Sequence, residues 1–389
     1  MEGEAILFTI FLIFTGAAVL ATLALYAHQS LLVVYIVLGI LLGPSGLKLV
    51  TDPDLVKHIS HAGIIFLLFL LGLNLPPEKL IQLVRKTTLI TAISSVMFGI
   101  IGFGVGIMFG YSAFESVIIG TALIFSSTII CLKLLPTTVL HHRRIGEMII
   151  SVLLLQDLIA ILVLVFLQAS HQHHIIAREI LLLIFAFLGL ILFAYLANRY
   201  VLLKLMARFD RIQEYLFVMS LGWCLGIAEL SNSVGLSFEI GAFIAGVTLA
   251  TNPISLFMAE TLKPLRDFFL ILFFFSLGAT FNLDMVSVVL FPAIILAALV
   301  LTLKPLIYKT LFLRFGEQAE QSTEMAFRLG QASEFSLLIA VLANDMEVIS
   351  IQASYLIQVC TLLTFIVSSY WTVMKFPTPV AVSDSLRRD

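Results

Sequence analysis

The feature that most constrains this chain is the recurrence of apolar runs about 20 residues long, from one end of the sequence to the other. As a helix rising about 1.5 Å per residue, such a run crosses the ~30 Å of hydrocarbon in a bilayer. Backbone N–H and C=O groups find no water in lipid, so runs of this kind are helical. The short alternating segments of a transmembrane barrel are absent. Of the 389 residues, 60% are hydrophobic and 12% charged, about half the charged share of a soluble domain. The pattern predicts an all-α polytopic membrane protein.

Thirteen spans are expected, near 5–26, 31–49, 56–74, 87–109, 115–135, 146–168, 178–198, 214–230, 237–250, 267–281, 285–312, 323–343 and 350–374. The start carries Glu2 and Glu4 and no basic residue, unlike a cleavable signal peptide, and is read as a retained helix that begins outside. Alternation from there places seventeen of the 22 Lys and Arg inside. Only Lys48, Lys57 and Arg178 lie outside, and Lys304 and Arg328 fall within spans. This asymmetry follows the positive-inside rule and supports a cytoplasmic C-terminus. The transmembrane domain is expected over 1–375, followed by a disordered tail over 376–389.

Several function classes lack their signatures. No basic tract points to nucleic acid, and no P-loop points to ATP-driven pumping. There is no TVGYG filter and no HExxH helix. No cofactor is implied. Cys131, Cys224 and Cys360 sit in or beside apolar runs and read as small buried hydrophobes. The HQHH tract at 171–174, with His141 and His142, reads as solvated loop.

Two spans look interrupted. The fifth holds Ser126, Ser127 and Thr128 at mid-depth, and the twelfth holds Gly330, Gln331, Ala332, Ser333 and Glu334. They are seven spans apart and so cross in opposite directions, as an inverted repeat of six spans, a linker span and six spans would give. Paired interrupted helices point to a transporter binding site. The competing reading is ordinary packing through small residues.

An ionisable group inside a bilayer costs at least about 2.5–3.5 kcal/mol on insertion scales, so each one needs a reason. Asp157, within LLLQDLIAI, is flanked by apolar residues on both sides. Burial favours a neutral carboxyl and a bound cation favours a charged one, so Asp157 can exchange H⁺ for a cation. Lys304, before Pro305, is either a snorkelling residue, a partner for Asp157, or a partner for the carbonyl ends of the broken helices. Glu334 can balance the positive start of a second half-helix, and Arg328 is either interfacial or part of the same charge balance. Glu229 and Glu239 read as interfacial or packing residues.

Several stretches together resemble one family. They are GILLGPSGL (39–47), FLLFLLGLNL (66–75), SSTII (126–130), LLLQDLIAI (153–161), GLSFEIGAFIAGVTLA (235–250), LFFFSLGATFNL (272–283), LKP (303–305) and GQASEFS (330–336). The chain is similar to the monovalent cation:proton antiporter-2 family, in particular its Kef-like branch. The resemblance implies an NhaA-type fold with inverted repeats and two crossing broken helices. It implies core spans near 87–168 and 285–374, with the remaining spans as a dimerisation scaffold of a homodimer. It also implies that Asp157 is the ion-binding aspartate and Lys304 the lysine of the crossing, with Ser126, Ser127 and Thr128 in one unwound segment and Glu334 in the other. Gln156-Asp157, where electrogenic sodium exchangers often carry two aspartates, resembles potassium/proton antiporters. Kef-like proteins usually continue into a cytoplasmic nucleotide-binding domain. This sequence ends at Asp389, and the expectation is regulation of another kind, regulation by a separate subunit, or none.

The expectation is a K⁺/H⁺ antiporter of a bacterial inner membrane. Asp157, Gln156 and the Ser126–Thr128 hydroxyls would form an oxygen shell of the kind hard cations need. Lys304, Glu334 and Arg328 would balance the crossing. The alternatives are Na⁺/H⁺ exchange on the same fold, a gated cation channel, and a sensor that transports nothing.

Overall fold

The computed structural model describes residues 2–27, 29, 31–50, 63–70, 72–73, 77–128, 130–131, 144–171, 177–209, 212–236, 238–250 and 254–376. Every regular element among them is helical. In chain order these are α1 (Glu2–Tyr26), α2 (Leu31–Leu42), α3 (Pro77–Met108), α4 (Ala113–Ile124), α5 (Arg144–His171), α6 (Ala177–Ala197) and α7 (Leu203–Arg208). There follow α8 (Gln213–Ser233), α9 (Phe238–Leu249), α10 (Ile254–Ala279), α11 (Leu283–Arg314), α12 (Ala319–Arg328), α13 (Glu334–Asp345) and α14 (Ile351–Lys375). Residues 63–70 and 72–73 are also helical, as are 128 and 130–131. One π turn, Asn198–Leu202, joins α6 to α7 in a single rod.

Each expected span meets a helix. The fifth is α4 and the helical residues that resume at Thr128; the twelfth is α12 and α13. Six of the described helices are long and apolar enough to cross a membrane, among them Leu283–Arg314 and Ile351–Lys375. Large apolar side chains such as Phe8, Leu188 and Phe291 are exposed, as lipid contact demands. His141, His142, His173, His174 and the tail from 377 lie outside the described residues. All three cysteines are buried and free, Glu239 is buried and Glu229 is exposed.

The chain divides into two compact units. One comprises Met1–Phe14, Tyr35–Gln82 and Leu164–Thr280; the other comprises Thr15–Val34, Leu83–Val163 and Phe281–Asp389.

In the first unit, helices touch backbone to backbone at glycines. A Cβ on Gly39 of α2 would strike the Phe275 carbonyl of α10, and one on Gly278 of α10 would strike the Ile36 carbonyl of α2. Likewise a Cβ on Gly72 would strike the Phe243 carbonyl of α9, and one on Gly246 of α9 would strike the Phe69 carbonyl. These contacts join the second span to the tenth and the third to the ninth. An inverted repeat that relates each span to the one seven places later turns the first contact into the second. Small residues let helix backbones approach where lipid supplies no hydrophobic drive.

The second unit has its own apolar centre, with Ile149 and Val152 of α5, Tyr308 and Phe312 of α11, and Leu329. Gly246→Leu is expected to lower the thermal midpoint of the detergent-solubilised protein sharply, since overpacking costs about 1–3 kcal/mol or more. Gly226→Leu, whose Cβ meets nothing within 4 Å, should leave it nearly unchanged.

Candidate ion site at two facing helix breaks

Both breaks arise from side chains that compete with the helical backbone. Helix α4 begins in a capping box, with the Ser112 hydroxyl accepting from Glu115 N at 3.2 Å and Glu115 Oε2 accepting from Ser112 N at 2.9 Å. Helix α4 ends at Phe125, whose backbone is extended (φ −79°, ψ 144°). Ser126, Ser127 and Thr128 follow. Short hydroxyl side chains offer backbone groups a local alternative to the helix. Accordingly, Ser127 Oγ accepts from Ile130 N at 3.1 Å and caps the half-helix that resumes there. In the second break, Ser333 Oγ accepts from Phe335 N at 3.1 Å, and Ser336 Oγ accepts from Ser333 N at 3.2 Å. These bonds start α13 after the gap over 329–333.

The two breaks face each other. Ser126 Oγ donates to Leu329 O at 2.8 Å, and Ser336 Oγ donates to Ala122 O. Lys304 of α11 joins them, with Nζ donating to Phe125 O at 2.6 Å and to Gln331 O at 2.9 Å. The lysine is 1% exposed and lies 5.2 Å from the centre of the Phe98 ring. Of the three readings open for Lys304, the structure takes the carbonyl ends. Its charge faces the negative end of α4.

Gln156 is fully engaged. Its Oε1 accepts from Ser126 N at 3.0 Å, and its Nε2 donates to Ile124 O at 2.9 Å and to Tyr308 Oη at 2.6 Å. The Gln156 oxygen expected in an ion's shell thus also serves the first break. Asp157, the next residue, is 1% exposed. Its Oδ1 lies 3.5 Å from Thr128 Oγ1, and its Oδ2 has no hydrogen-bond partner among the described residues. A buried oxygen of this kind is uncommon in a folded protein and calls for a reason.

The site therefore gathers Ser126, Ser127, Gln156 and Lys304 in one bonded crossing, with Thr128 and Asp157 beside it. Glu334 occupies the first position of α13. Arg328 is buried and pairs with Glu324 on its own helix at 2.7 Å. The sequence reading missed Tyr308, which stands one turn beyond Lys304 and so on the same helix face. It also missed Thr364, whose Oγ1 accepts from Ala332 N at 3.1 Å, and Ser368, whose Oγ donates to Gln331 Oε1 at 3.1 Å. No group of three or more His, Cys, Asp or Glu that could hold a metal ion occurs among the described residues.

The chain is similar to known proteins along most of its length. A family model described as sodium/hydrogen exchanger, transmembrane, matches residues 9–375. The iron transporter MagA of Paramagnetospirillum magneticum is 28% identical over 347 residues, covering 88% of this chain and 79% of that protein. The solved structure of the sodium proton antiporter MjNhaP1 from Methanocaldococcus jannaschii aligns with a TM-score of 0.64 at 15% identity, over 95% of this chain and 96% of that one. That last likeness is one of fold.

Lys304 and Asp157 differ in how firmly the described residues hold them. Lys304→Met removes two charge-assisted bonds worth about 1.5–3 kcal/mol each and should lower the thermal midpoint markedly. Asp157→Asn gives up only one long contact and should leave it nearly unchanged. Melting curves of the purified variants check both.

Proposed function

The chain belongs to the sodium/hydrogen exchanger transmembrane family, and from that premise we propose that it is a secondary K⁺/H⁺ antiporter in which Asp157 carries proton and cation in turn. The observation that carries this reading is the buried Asp157 carboxylate, with one oxygen unbonded to the described residues, beside the start of the half-helix at Thr128. With a proton on Oδ2 the site is neutral. With the proton gone, the carboxylate and the Thr128 hydroxyl offer oxygen to a hard cation. Carbonyls of the unwound segments, Ser126 and Ser127 complete the surroundings. Gln156 acts as a positioning residue and contributes no charge. Lys304, Glu334 and Arg328 hold the charge balance around the breaks. A single ion-binding carboxylate fits one-for-one exchange.

The choice of potassium rests on Gln156, which leaves one negative charge where a second carboxylate would favour a more strongly hydrated ion. Na⁺/H⁺ exchange fits the family and the fold at least as well, and it is the alternative reading. The relative named for iron adds Fe²⁺ to the cations worth testing. In this proposal the unit with the crossing is the transport core and the other is the scaffold of a homodimer. The N-terminus lies outside a bacterial plasma membrane and the C-terminus inside, where a separate regulatory subunit has access.

Proteoliposomes loaded with a pH-sensitive dye test the reading. Added K⁺ should drive proton movement, more weakly with Na⁺ or Li⁺, and an imposed voltage should leave a one-for-one exchange unchanged. Asp157→Asn should abolish the flux. Full activity in that variant sinks the mechanism, and current that ignores the proton gradient would make the protein a channel.

A further inference from the structure

One side chain joins the helix of Asp157 to the first break. Phe125 is extended, so the groups on either side of it lie outside the helical ladder. Gln156 serves both, with Nε2 donating to Ile124 O at 2.9 Å and Oε1 accepting from Ser126 N at 3.0 Å. Its amide pairs with the extended stretch as the backbone of a neighbouring strand would. It therefore sets a distance between two residues that follow directly. Asp157 comes next on α5, and Thr128 lies two residues beyond Ser126. The 3.5 Å between Asp157 Oδ1 and Thr128 Oγ1 depends on where that amide sits.

An amide carries a second N–H, and a buried donor without an acceptor is costly. Tyr308 Oη takes that hydrogen at 2.6 Å, the shortest bond Gln156 makes. Tyr308 is itself held firmly. It is fully buried, its ring lies edge-on to Phe98 at 5.2 Å, and Phe312 stacks on it at 6.0 Å. The hydroxyls of Ser94 and Ser126 lie beside its oxygen. Each gives its own proton elsewhere, Ser94 to Thr91 O at 3.0 Å and Ser126 to Leu329 O at 2.8 Å. Both therefore have acceptor capacity left for the tyrosine. Lys304, one turn earlier on α11, holds the backbone of the breaks, and Tyr308 holds the side chains around them.

We propose that Tyr308 is a positioning residue for the cation step: through Gln156 it sets the spacing of the Asp157 and Thr128 oxygens, and with it the affinity for cations and the preference among them. This rests on the antiporter reading above. Tyr308 touches neither transported ion. The two ions differ in what they ask of the site. A hard cation needs several oxygens at set distances. A proton needs one, and Asp157 Oδ2 has no hydrogen-bond partner among the described residues. A small movement of the Thr128 segment thus weakens the cation's hold and leaves the proton's in place.

Tyr308→Phe removes the hydroxyl and keeps the ring. In dye-loaded proteoliposomes at one pH, its apparent KM for K⁺ should rise about fivefold or more, with the maximal rate within about twofold of wild type. Its KM values for K⁺ and Na⁺ should draw together. The rise in thermal midpoint that added cation gives the solubilised protein reads binding without transport, and its half-point should move by the same factor. Ile149→Val loosens the same apolar centre without touching the hydroxyl, and its KM should stay at the wild-type value. An unchanged KM in Tyr308→Phe overturns the proposal. So does a lowered maximal rate at unchanged KM, or an equal rise of KM in Ile149→Val, since either marks a packing role. An experimental density map of the wild-type protein with cation bound should keep Gln156 on Tyr308. A map in which the two part overturns the proposal whatever the variants do. A wild-type protein with neither cation-dependent proton flux nor a cation-dependent midpoint sinks the antiporter reading, and the positioning role with it. Wild-type exchange with an unchanged KM in Tyr308→Phe sinks the positioning role alone.

Discussion

Lys304 gives its ammonium protons to carbonyls of two different helices, Phe125 O at the end of α4 and Gln331 O in the gap between α12 and α13. Each partner would be costly alone. A helix that stops in hydrocarbon leaves backbone carbonyls without donors, and each such group costs several kcal/mol in lipid. An unpaired ammonium at that depth costs about 2.5–3.5 kcal/mol on insertion scales. Brought together, the two problems offset each other. The rest of the crossing depends on this arrangement, because the Ser126–Leu329 and Ser336–Ala122 bonds require both breaks to be held open and face to face.

With the breaks held, the division of labour between Gln156 and Asp157 follows from bonding capacity. An amide has both donors and an acceptor, so Gln156 can bind Ser126 N, Ile124 O and Tyr308 Oη at once. Phe98 packs edge-on against the Tyr308 ring, with centroids 5.2 Å apart, and helps fix that hydroxyl. A carboxylate next in sequence points elsewhere and can only accept. Its surroundings supply one distant hydroxyl. In the proposed exchange the open position is therefore the Asp157 oxygen that no described residue bonds.

The breaks were legible because a run of Ser and Thr, or of Gly, Gln and Ser, inside an apolar span has no cheap helical explanation. Asp157 and Lys304 were legible for the same reason, as charges in hydrocarbon. Their partners were not. A sequence gives the depth of Lys304 but not which helix end passes it, and several acceptors at that depth satisfied the same cost argument. Tyr308 escaped because a tyrosine in an apolar span is unremarkable until its hydroxyl is seen to bond Gln156. The start of α3 at Pro77 also lies well before the expected 87, because charge counts locate the edge of the lipid while helices run on past it into water.

The inverted repeat expresses itself differently in the two units. In the first, the contact of Gly39 with Gly278 and that of Gly72 with Gly246 are equivalents in chemistry as well as in position: glycine meets backbone in both. In the second, the two breaks are equivalent in backbone and unlike in side chains. The first repeat supplies hydroxyls, Gln156 and Asp157, and the second supplies Lys304, Gln331, Glu334 and the buried Thr364 and Ser368 hydroxyls of α14. Backbone symmetry lets two half-helices meet at one depth. In the proposed exchange the acid is Asp157 of the first repeat, while Glu334 of the second stands at a half-helix start, where negative charge is favoured. The repeat builds the crossing, and the departure from the repeat gives its two halves different side chains to work with.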